Sequence, residues 1–136
     1  MKVKLDKGAI CPTRAHDVDA GLDLYSMDSG YVRAHSKRVF HTGVHVEIPH
    51  GKCGLLVSKS GLNIKEFITT TGLIDEGYTG EIMVSMYNHG DYEYYVHKGD
   101  KISQLVIIPC SYESVEIVDD LEEAGRGSNG FGSTGR

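Results

Sequence analysis

Apolar side chains recur at every second position in short segments of this chain, and glycines separate one segment from the next. The segments Val44–Ile48 and Glu81–Tyr87 both alternate in this way, with Ile82, Val84 and Met86 apolar in the second one. A period of two indicates a β-strand with one buried face. No segment carries a helical repeat over three turns. The sequence therefore predicts an all-β fold.

The segment Ile102–Pro109 is a more continuous apolar run rich in β-branched residues, which predicts a strand buried on both faces. Asn63–Glu66 and Asp119–Ala124 could each hold about one helical turn. Many short strands joined by Gly-rich turns indicate a sandwich, jelly roll or barrel. Weaker strand predictions fall on Val3–Leu5, Leu22–Ser26, Val39–Thr42, Gly54–Ser58, Phe67–Thr70, Glu93–His97 and Val115–Val118.

Length and charge limit the classes of function. The 136 residues suffice for one core, which predicts one domain at 1–124 and a separate C-terminal segment at 125–136. The net charge of −5 argues against a protein that coats nucleic acid. The sequence has no apolar run that could span a membrane and no apolar signal core at its start, so we expect a cytoplasmic protein. The odd count of three cysteines, without a C-x-x-C pair, favours reduced thiols.

The C-terminal segment Gly125–Arg136 reads GRGSNGFGSTGR and has no core-forming pattern. One interpretation is a disordered glycine-rich end. The other is a lid that closes over a ligand, with Arg126 and Ser133 as donors to phosphate and Phe131 stacked on a base.

The segment Gly72–Glu81, GLIDEGYTGE, places Asp75 in a Gly-punctuated turn between two predicted strands. A carboxylate held there can act as a general base on water, and Tyr78 can place its ring beside the bound group. A plain hairpin with Asp75 as a turn residue explains the local pattern equally well.

Ser58–Gly61 follows a predicted strand and offers hydroxyls, a cation and free N–H groups, which together suit an anion. A simple strand-to-turn transition capped by Ser60 is the alternative. Asp23 lies between two leucines and either faces solvent or helps to hold a hydrated Mg²⁺. Gln104 interrupts an apolar run, so its amide requires a partner, either a phosphate oxygen or the backbone.

Five segments together resemble the five motifs of the trimeric, all-β dUTPase family, and they stand in the order of that family. They are DAGLDLYS at Asp19–Ser26, SKSGL at Ser58–Leu62, GLIDEGYTGE at Gly72–Glu81, GDKISQL at Gly99–Leu105 and RGSNGFGSTG at Arg126–Gly135. The resemblance implies a distorted jelly-roll (β-clip) subunit in a homotrimer, with active sites at subunit interfaces. It also implies hydrolysis of dUTP to dUMP and pyrophosphate with Mg²⁺, which limits uracil incorporation into DNA and supplies dUMP for thymidylate synthesis.

The resemblance also implies residue roles. Asp75 would orient and deprotonate the water that attacks the α-phosphorus in line, Tyr78 would pack beneath the deoxyribose, and Asp23 would reach Mg²⁺ through water. The remaining substrate contacts implied are Thr69, Gly72, Leu73 and Ile74 around the uracil, Met83 as a neighbour of the substrate, Lys59, Ser60, Gly61 and Gln104 at the phosphates, and Arg126, Phe131, Gly132 and Ser133 in the lid.

The chain departs from the family at two of these positions. Lys59 stands where the family usually has Arg, and it lacks the planar, bidentate fork of that residue. Thr69 stands where some members have Asn. Two rival functions remain open: a dCTP deaminase of the same fold, and a dUTPase-like protein whose main task is to bind a regulatory partner.

Overall fold

The computed structural model describes residues 1–122. Ten strands and one short helix follow one another in that part of the chain. They are β1 (Lys2–Leu5), β2 (Gly21–Tyr25), β3 (Gly30–Val32), β4 (Ser36–His41), β5 (Val44–Glu47), β6 (Lys52–Val57), α1 (Ser60–Glu66), β7 (Ile68–Ile74), β8 (Met83–Asn88), β9 (Tyr94–Val96) and β10 (Lys101–Pro109).

The strands form one large antiparallel sheet and two small ones. The large sheet has the order β2-β10-β6-β7-β8-β4, while β1 pairs with β5 and β3 pairs with β9. The side chains of Leu24, Phe40, Ile68, Ile102 and Leu105 are fully buried between these sheets. This all-β, curled architecture confirms the predicted distorted jelly roll.

The two alternating segments behave as predicted. In β8 and the residue before it, Ile82, Val84 and Met86 are fully buried, whereas Met83 and Tyr87 are exposed. In and just after β5, Val44, Val46 and Ile48 are buried, whereas His45 is half-buried and Glu47 is exposed. The helix α1 confirms and extends the helical turn expected at Asn63–Glu66. Within residues 1–122, no helix is long and apolar enough to cross a membrane.

Ile102–Pro109 lies in the strand β10, as predicted, but the prediction that this strand is buried on both faces was wrong. Leu105 points into the core, but Gln104, Val106 and Ile108 on the opposite face are only half-buried. The same face continues across the sheet to Leu73, whose side chain is 60% exposed. This face is therefore only partly covered within residues 1–122.

The segment after β10 was also predicted incorrectly. Val115–Val118 has no strand partner within the described part of the chain, and Val115 and Ile117 are 93% and 95% exposed. The expected helical turn at Asp119–Ala124 is absent from residues 119–122, and its last two residues lie outside the described part. The short strand β3 was not predicted from the sequence.

Candidate functional site

The strands β7 and β8 separate as they approach the turn that carries Asp75. Their register pairs join Ile68–Thr70 to residues 86–88. Beyond that point, Thr71–Ile74 pairs with β6, and Met83–Ser85 pairs with β4. Within residues 1–122, the facing edges of these two stretches therefore carry no register pairs with each other. The result is an opening between two strands, bordered by backbone N–H and C=O groups.

Asp75 lies at the mouth of this opening. A cavity of about 310 Å³ is lined there by Leu73, Ile74, Asp75, Tyr78, Glu81 and Met83. Both Tyr78 and Met83 are exposed, at 44% and 49%. The Tyr78 hydroxyl donates a hydrogen bond to the backbone oxygen of Glu81 at 3.0 Å. The structure thus brings Asp75, Tyr78 and Met83, which the family motif singled out, to one cavity.

Gly80 makes the position of the Tyr78 ring possible. A Cβ atom at position 80 would overlap the hydroxyl oxygen of Tyr78 and lie 2.5 Å from its Cζ. Such a distance is far inside van der Waals contact, so any larger residue at position 80 must displace the ring.

Glu81 fixes the far end of the Asp75 turn. Its Oε1 accepts hydrogen bonds from the backbone N–H groups of Thr42 (3.1 Å) and Gly43 (2.8 Å), and its Oε2 lies 2.8 Å from Nδ1 of His41. Burial raises the pKa of Glu81, but these hydrogen bonds outweigh it and leave the pKa below its ordinary value. No local pattern in the sequence pointed to this role, since the partners are about 40 residues away.

Glu76 fixes the near end of the turn. Its Oε2 accepts hydrogen bonds from the Tyr112 hydroxyl (2.6 Å) and the Gly51 N–H (2.9 Å), and its Oε1 accepts one from Nδ1 of His50 (2.7 Å). Led by the bond from Tyr112, these contacts lower the pKa of Glu76 to about 2. Neither Glu76 nor Tyr112 was identified from the sequence.

A second cavity of about 480 Å³ adjoins Asp75 on this side and is lined by Cys53, Leu73, Asp75, Glu76, Gly77, Cys110 and Tyr112. Cys53 and Cys110 are free, as the sequence led us to expect for the three cysteines. Burial raises the pKa of the Cys53 thiol.

Asp23 lies in a different part of the sheet and is 4% exposed. Its Oδ1 lies 2.5 Å from Nζ of Lys59, and its Oδ2 lies 2.8 Å from Nζ of Lys101. Gln104 donates a longer hydrogen bond, 3.4 Å, to the same Oδ1 atom. Burial raises the pKa of Asp23, but the two lysines more than offset it and hold the pKa below its ordinary value. Asp23 therefore does not face solvent, and both amines and the amide converge on it.

The Asp23 cluster and Asp75 lie apart on the large sheet. Asp23, Gln104, Val57 and Thr71 lie side by side across β2, β10, β6 and β7. Asp75 stands four residues further along than Thr71, which is about 13 Å at ~3.3 Å per residue. The predicted phosphate contacts and the predicted base are thus separated along one face of the sheet.

Ser60 and Gly61 begin α1, next to the Asp23 cluster. The residue that precedes the helix is Lys59, and no side-chain cap is formed there among the described residues, so the alternative of a Ser60 cap was wrong. A Cβ atom at Gly61 would meet no described heavy atom within 4 Å, which leaves this turn open to an approaching group.

The remaining predicted site residues are Thr69 and the four residues of the C-terminal lid. Thr69 lies at the opposite end of β7 from Asp75, and its hydroxyl is 2.8 Å from Nε2 of His89. Arg126, Phe131, Gly132 and Ser133 lie outside the described residues.

The residues fit a hydrated Mg²⁺ better than a metal held wholly by protein. Among residues 1–122, no group of three or more His, Cys, Asp or Glu side chains could hold a metal ion. Mg²⁺ commonly retains waters and binds through one or two carboxylates together with substrate phosphates. The single buried carboxylate of Asp23 suits that arrangement.

Comparison with known proteins agrees with the motifs. The family model described as dUTPase matches residues 7–135, so this chain belongs to the dUTPase family. The deoxyuridine 5'-triphosphate nucleotidohydrolase of Clostridium novyi (strain NT) is 42% identical over 135 residues, which cover 97% of this chain and 95% of that protein. The dCTP deaminase alternative is therefore set aside.

Solved structures give the same assignment. The dUTPase of Staphylococcus bacteriophage 80alpha with bound dUpNHpp has a TM-score of 0.92 and 34% identity, and the match covers 99% of this chain and 98% of that one. Phage dUTPases are described there as controlling the transfer of virulence genes. A point variant of the dUTPase from phage phi11 of S. aureus, described as coordinating a structural Mg(II) ion, has a TM-score of 0.82 and 30% identity, with 90% and 98% of the two chains covered.

Proposed function

We propose that this protein hydrolyses dUTP to dUMP and pyrophosphate, and that Asp75 activates the attacking water. The observation that carries the proposal is the place of Asp75 at the mouth of the opening between β7 and β8, in a chain of the dUTPase family. A carboxylate at the edge of a cavity can accept a proton from water and hold that water for attack on phosphorus.

The opening provides a means of selecting uracil. The backbone edges of Thr71–Ile74 and Met83–Ser85 face each other without register pairs within the described residues. Their N–H and C=O groups are free to form hydrogen bonds with the edge of a pyrimidine. Because the walls are backbone, the space for a substituent on the base is limited by the strands themselves. Tyr78, held through its hydroxyl to Glu81, would then lie beneath the deoxyribose and leave no room for a 2′-OH.

The phosphates would be bound by Lys59, Ser60, Gly61 and Gln104. Within one chain the Asp23 cluster is offset from Asp75 by about 13 Å along the strands and by up to three strands across the sheet. We therefore infer that the complete site combines Asp75 of one subunit with the Asp23 cluster of another in a homotrimer. Two features support a second copy. The sheet face that includes Val106 and Leu73 is incompletely covered, and Val115 and Ile117 are almost fully exposed although their pattern is that of a strand.

When bound, Mg²⁺ would neutralise charge on the phosphate oxygens. Asp23 would hold it through water, and Lys101 would keep that carboxylate in place. The segment 125–136 is proposed to close over the phosphates and the base through Arg126, Phe131, Gly132 and Ser133. A cytoplasmic location and a regulatory role remain predictions from the sequence.

The activity test is a panel of the four common deoxynucleoside triphosphates together with dUTP and UTP. Each is incubated with the purified protein and either Mg²⁺ or EDTA, and pyrophosphate release is measured. We expect release from dUTP with Mg²⁺ and at least about 100-fold slower release from the other nucleotides. Equal cleavage of all six, or no cleavage of dUTP, would refute the proposal.

Whether base and lid come from different subunits has its own test. Chains carrying Asp75→Asn are mixed with chains that end at Ala124 and are allowed to exchange subunits. If base and lid come from different subunits, some mixed trimers contain an intact site and activity returns. Inactive mixtures, when size analysis shows that mixed trimers have formed, would indicate that base and lid come from the same subunit.

A further inference from the structure

The Glu76 carboxylate joins three parts of the chain beside Asp75. Its Oε1 binds the His50 ring at 2.7 Å, and its Oε2 binds both the Gly51 N–H at 2.9 Å and the Tyr112 hydroxyl at 2.6 Å. His50 and Gly51 belong to the turn between β5 and β6, whereas Tyr112 lies just after β10. Glu76 is the next residue after Asp75, so these contacts act directly on the backbone that carries Asp75.

The network lies at the surface, but the Glu76 carboxylate at its centre is largely shielded from solvent. The Glu76 side chain is 29% exposed, while that of His50 is 91% exposed. The pKa of Glu76 falls to about 2, and that of Tyr112 rises to about 12, chiefly through the hydrogen bond between them. Both directions are those of an ionised carboxylate that accepts a bond from a neutral phenol.

Tyr112 gives this network a second consequence. It lines the same cavity as Asp75 and Gly77, and it stands where the chain leaves β10. From there the chain continues towards the segment 125–136. The hydrogen bond from Tyr112 to Glu76 therefore holds the chain against the Asp75 turn just after it leaves β10.

We propose that Glu76 is a positioning residue for hydrolysis, which holds Asp75 in its working orientation through its bonds to the 50–51 turn and to Tyr112. This inference rests on the proposed function. Glu76 does not point into the cavity of Tyr78 and Met83, and it acts through Asp75 rather than on the substrate. A shift of the Asp75 carboxylate by about 1 Å is enough to slow the chemical step by one to two orders of magnitude.

The chemistry of the contacts makes a specific prediction for Glu76→Gln. The oxygen of the new side-chain amide can accept from Gly51 and Tyr112, as Oε2 does now. Its NH₂ group can donate to the His50 ring, which is free to carry its proton on the other nitrogen. Glutamine thus preserves the geometry and removes the charge, whereas alanine removes all three contacts.

The experiment measures kcat and KM for dUTP in the parent, Glu76→Ala, Glu76→Gln, Tyr112→Phe and the double variant Glu76→Ala/Tyr112→Phe. We expect Glu76→Ala to lower kcat about 10-fold with KM changed less than about twofold, and Glu76→Gln to recover most of kcat. Tyr112→Phe should lower kcat less, and the double variant should match Glu76→Ala because the two residues act through one bond. Glu47→Ala and Tyr92→Phe, at exposed positions away from the cavity, serve as matched controls.

The outcomes separate the two proposals. An inactive parent refutes the proposed function, whereas an active parent with an unchanged kcat in Glu76→Ala refutes only the positioning role. The positioning role is equally refuted if KM rises while kcat stays constant, or if the loss of kcat is as large in Glu76→Gln as in Glu76→Ala. Melting temperatures are recorded for every variant. If Glu76→Ala does not fold, Tyr112→Phe, which removes only one hydroxyl, decides the question through its kcat.

Discussion

The ammonium group of Lys59 lies 2.5 Å from Oδ1 of Asp23, and Lys101 occupies the other oxygen of the same carboxylate at 2.8 Å. Lys59 stands where the family usually has Arg. An arginine fork can bind a carboxylate and a phosphate at the same time through separate N–H groups. A lysine presents one point charge, which Asp23 and a phosphate must share. Because Lys101 also neutralises Asp23, Lys59 can turn towards a phosphate without leaving the buried carboxylate unpaired.

Lys59→Met is expected to raise KM for dUTP by about 10-fold or more, since a hydrogen bond to a charged group contributes ~1.5–3 kcal/mol. Lys59→Arg should retain activity within a few-fold of the parent because it restores the usual residue of the family. Steady-state kinetics with saturating Mg²⁺ check both. A KM for Lys59→Met close to that of the parent would remove Lys59 from the phosphate site.

Asp75→Asn should reduce kcat by about 10²–10⁴-fold, the usual contribution of a general base, while the fold is preserved. Asparagine has nearly the same shape but cannot take a proton from water. The checks are pyrophosphate release, melting temperature and binding of a non-hydrolysable dUTP analogue. Asp91→Asn, which changes an 86% exposed carboxylate, is the matched control. A near-normal kcat in Asp75→Asn contradicts the assigned role.

Gly80→Ala should weaken the discrimination between dUTP and UTP. The added methyl would stand 2.5 Å from Cζ of Tyr78, and the ring can move because it is 44% exposed. We expect kcat/KM for dUTP to fall about 10-fold, and the ratio of dUTP to UTP turnover to fall with it, while the melting temperature changes little. The control is Thr79→Ala, at the residue just before Gly80. Gly51→Ala would not serve as a control, because the backbone φ angle of Gly51 is positive and alanine there would be strained.

The acid dependence of stability should report on Glu76. Its pKa is about 2 in the folded protein against an ordinary value of 4.5. A lowered pKa means that the ionised carboxylate stabilises the fold above about pH 4.5 and that this contribution disappears as the pH falls towards 2. Glu76→Gln should therefore melt below the parent at pH 7, and the difference should shrink between pH 5 and pH 3. A difference that stays constant over this range would contradict the assigned pKa.

Truncation after Ala124 should abolish most dUTP turnover and leave the melting temperature nearly unchanged. The reason is that residues 125–136 carry donors and an aromatic ring but no core-forming pattern. Phe131→Ala alone should show a smaller loss of the same kind, since a stacked base contributes ~1–3 kcal/mol. Full activity of the truncated protein would exclude the lid from the mechanism.

Local patterns were sufficient to predict most of the fold. The period of two in Val44–Ile48 and Glu81–Tyr87 identified two strands and their buried faces, because alternation depends only on neighbouring residues. The apolar run Ile102–Pro109 correctly predicted the strand β10 but not its half-buried outer face, and the strand predicted at Val115–Val118 was wrong. In both segments apolar side chains lie on surfaces that one chain leaves open. A sequence pattern can predict that a residue is buried, but it cannot predict whether the residue is buried by its own chain or by another subunit.

The site was predicted only in part. Asp75, Tyr78 and Met83 lie close together in the sequence, so their meeting at one cavity follows from a single short segment. Glu76 and Glu81 were missed because their partners, Tyr112 and Thr42, come from distant parts of the sequence. Each contact depends on the arrangement of the sheets, which no local pattern contains.

The opening between β7 and β8 has a consequence for how the protein can change over time. A pocket made of side chains can be enlarged by one substitution, but this opening is bounded by main-chain atoms that every residue shares. Altering its width would require an insertion, a deletion or a slip of strand pairing, and each of these moves many core contacts at once. Preference for the base should therefore resist point mutation, and laboratory selection for a bulkier pyrimidine should yield changes in strand length rather than single replacements.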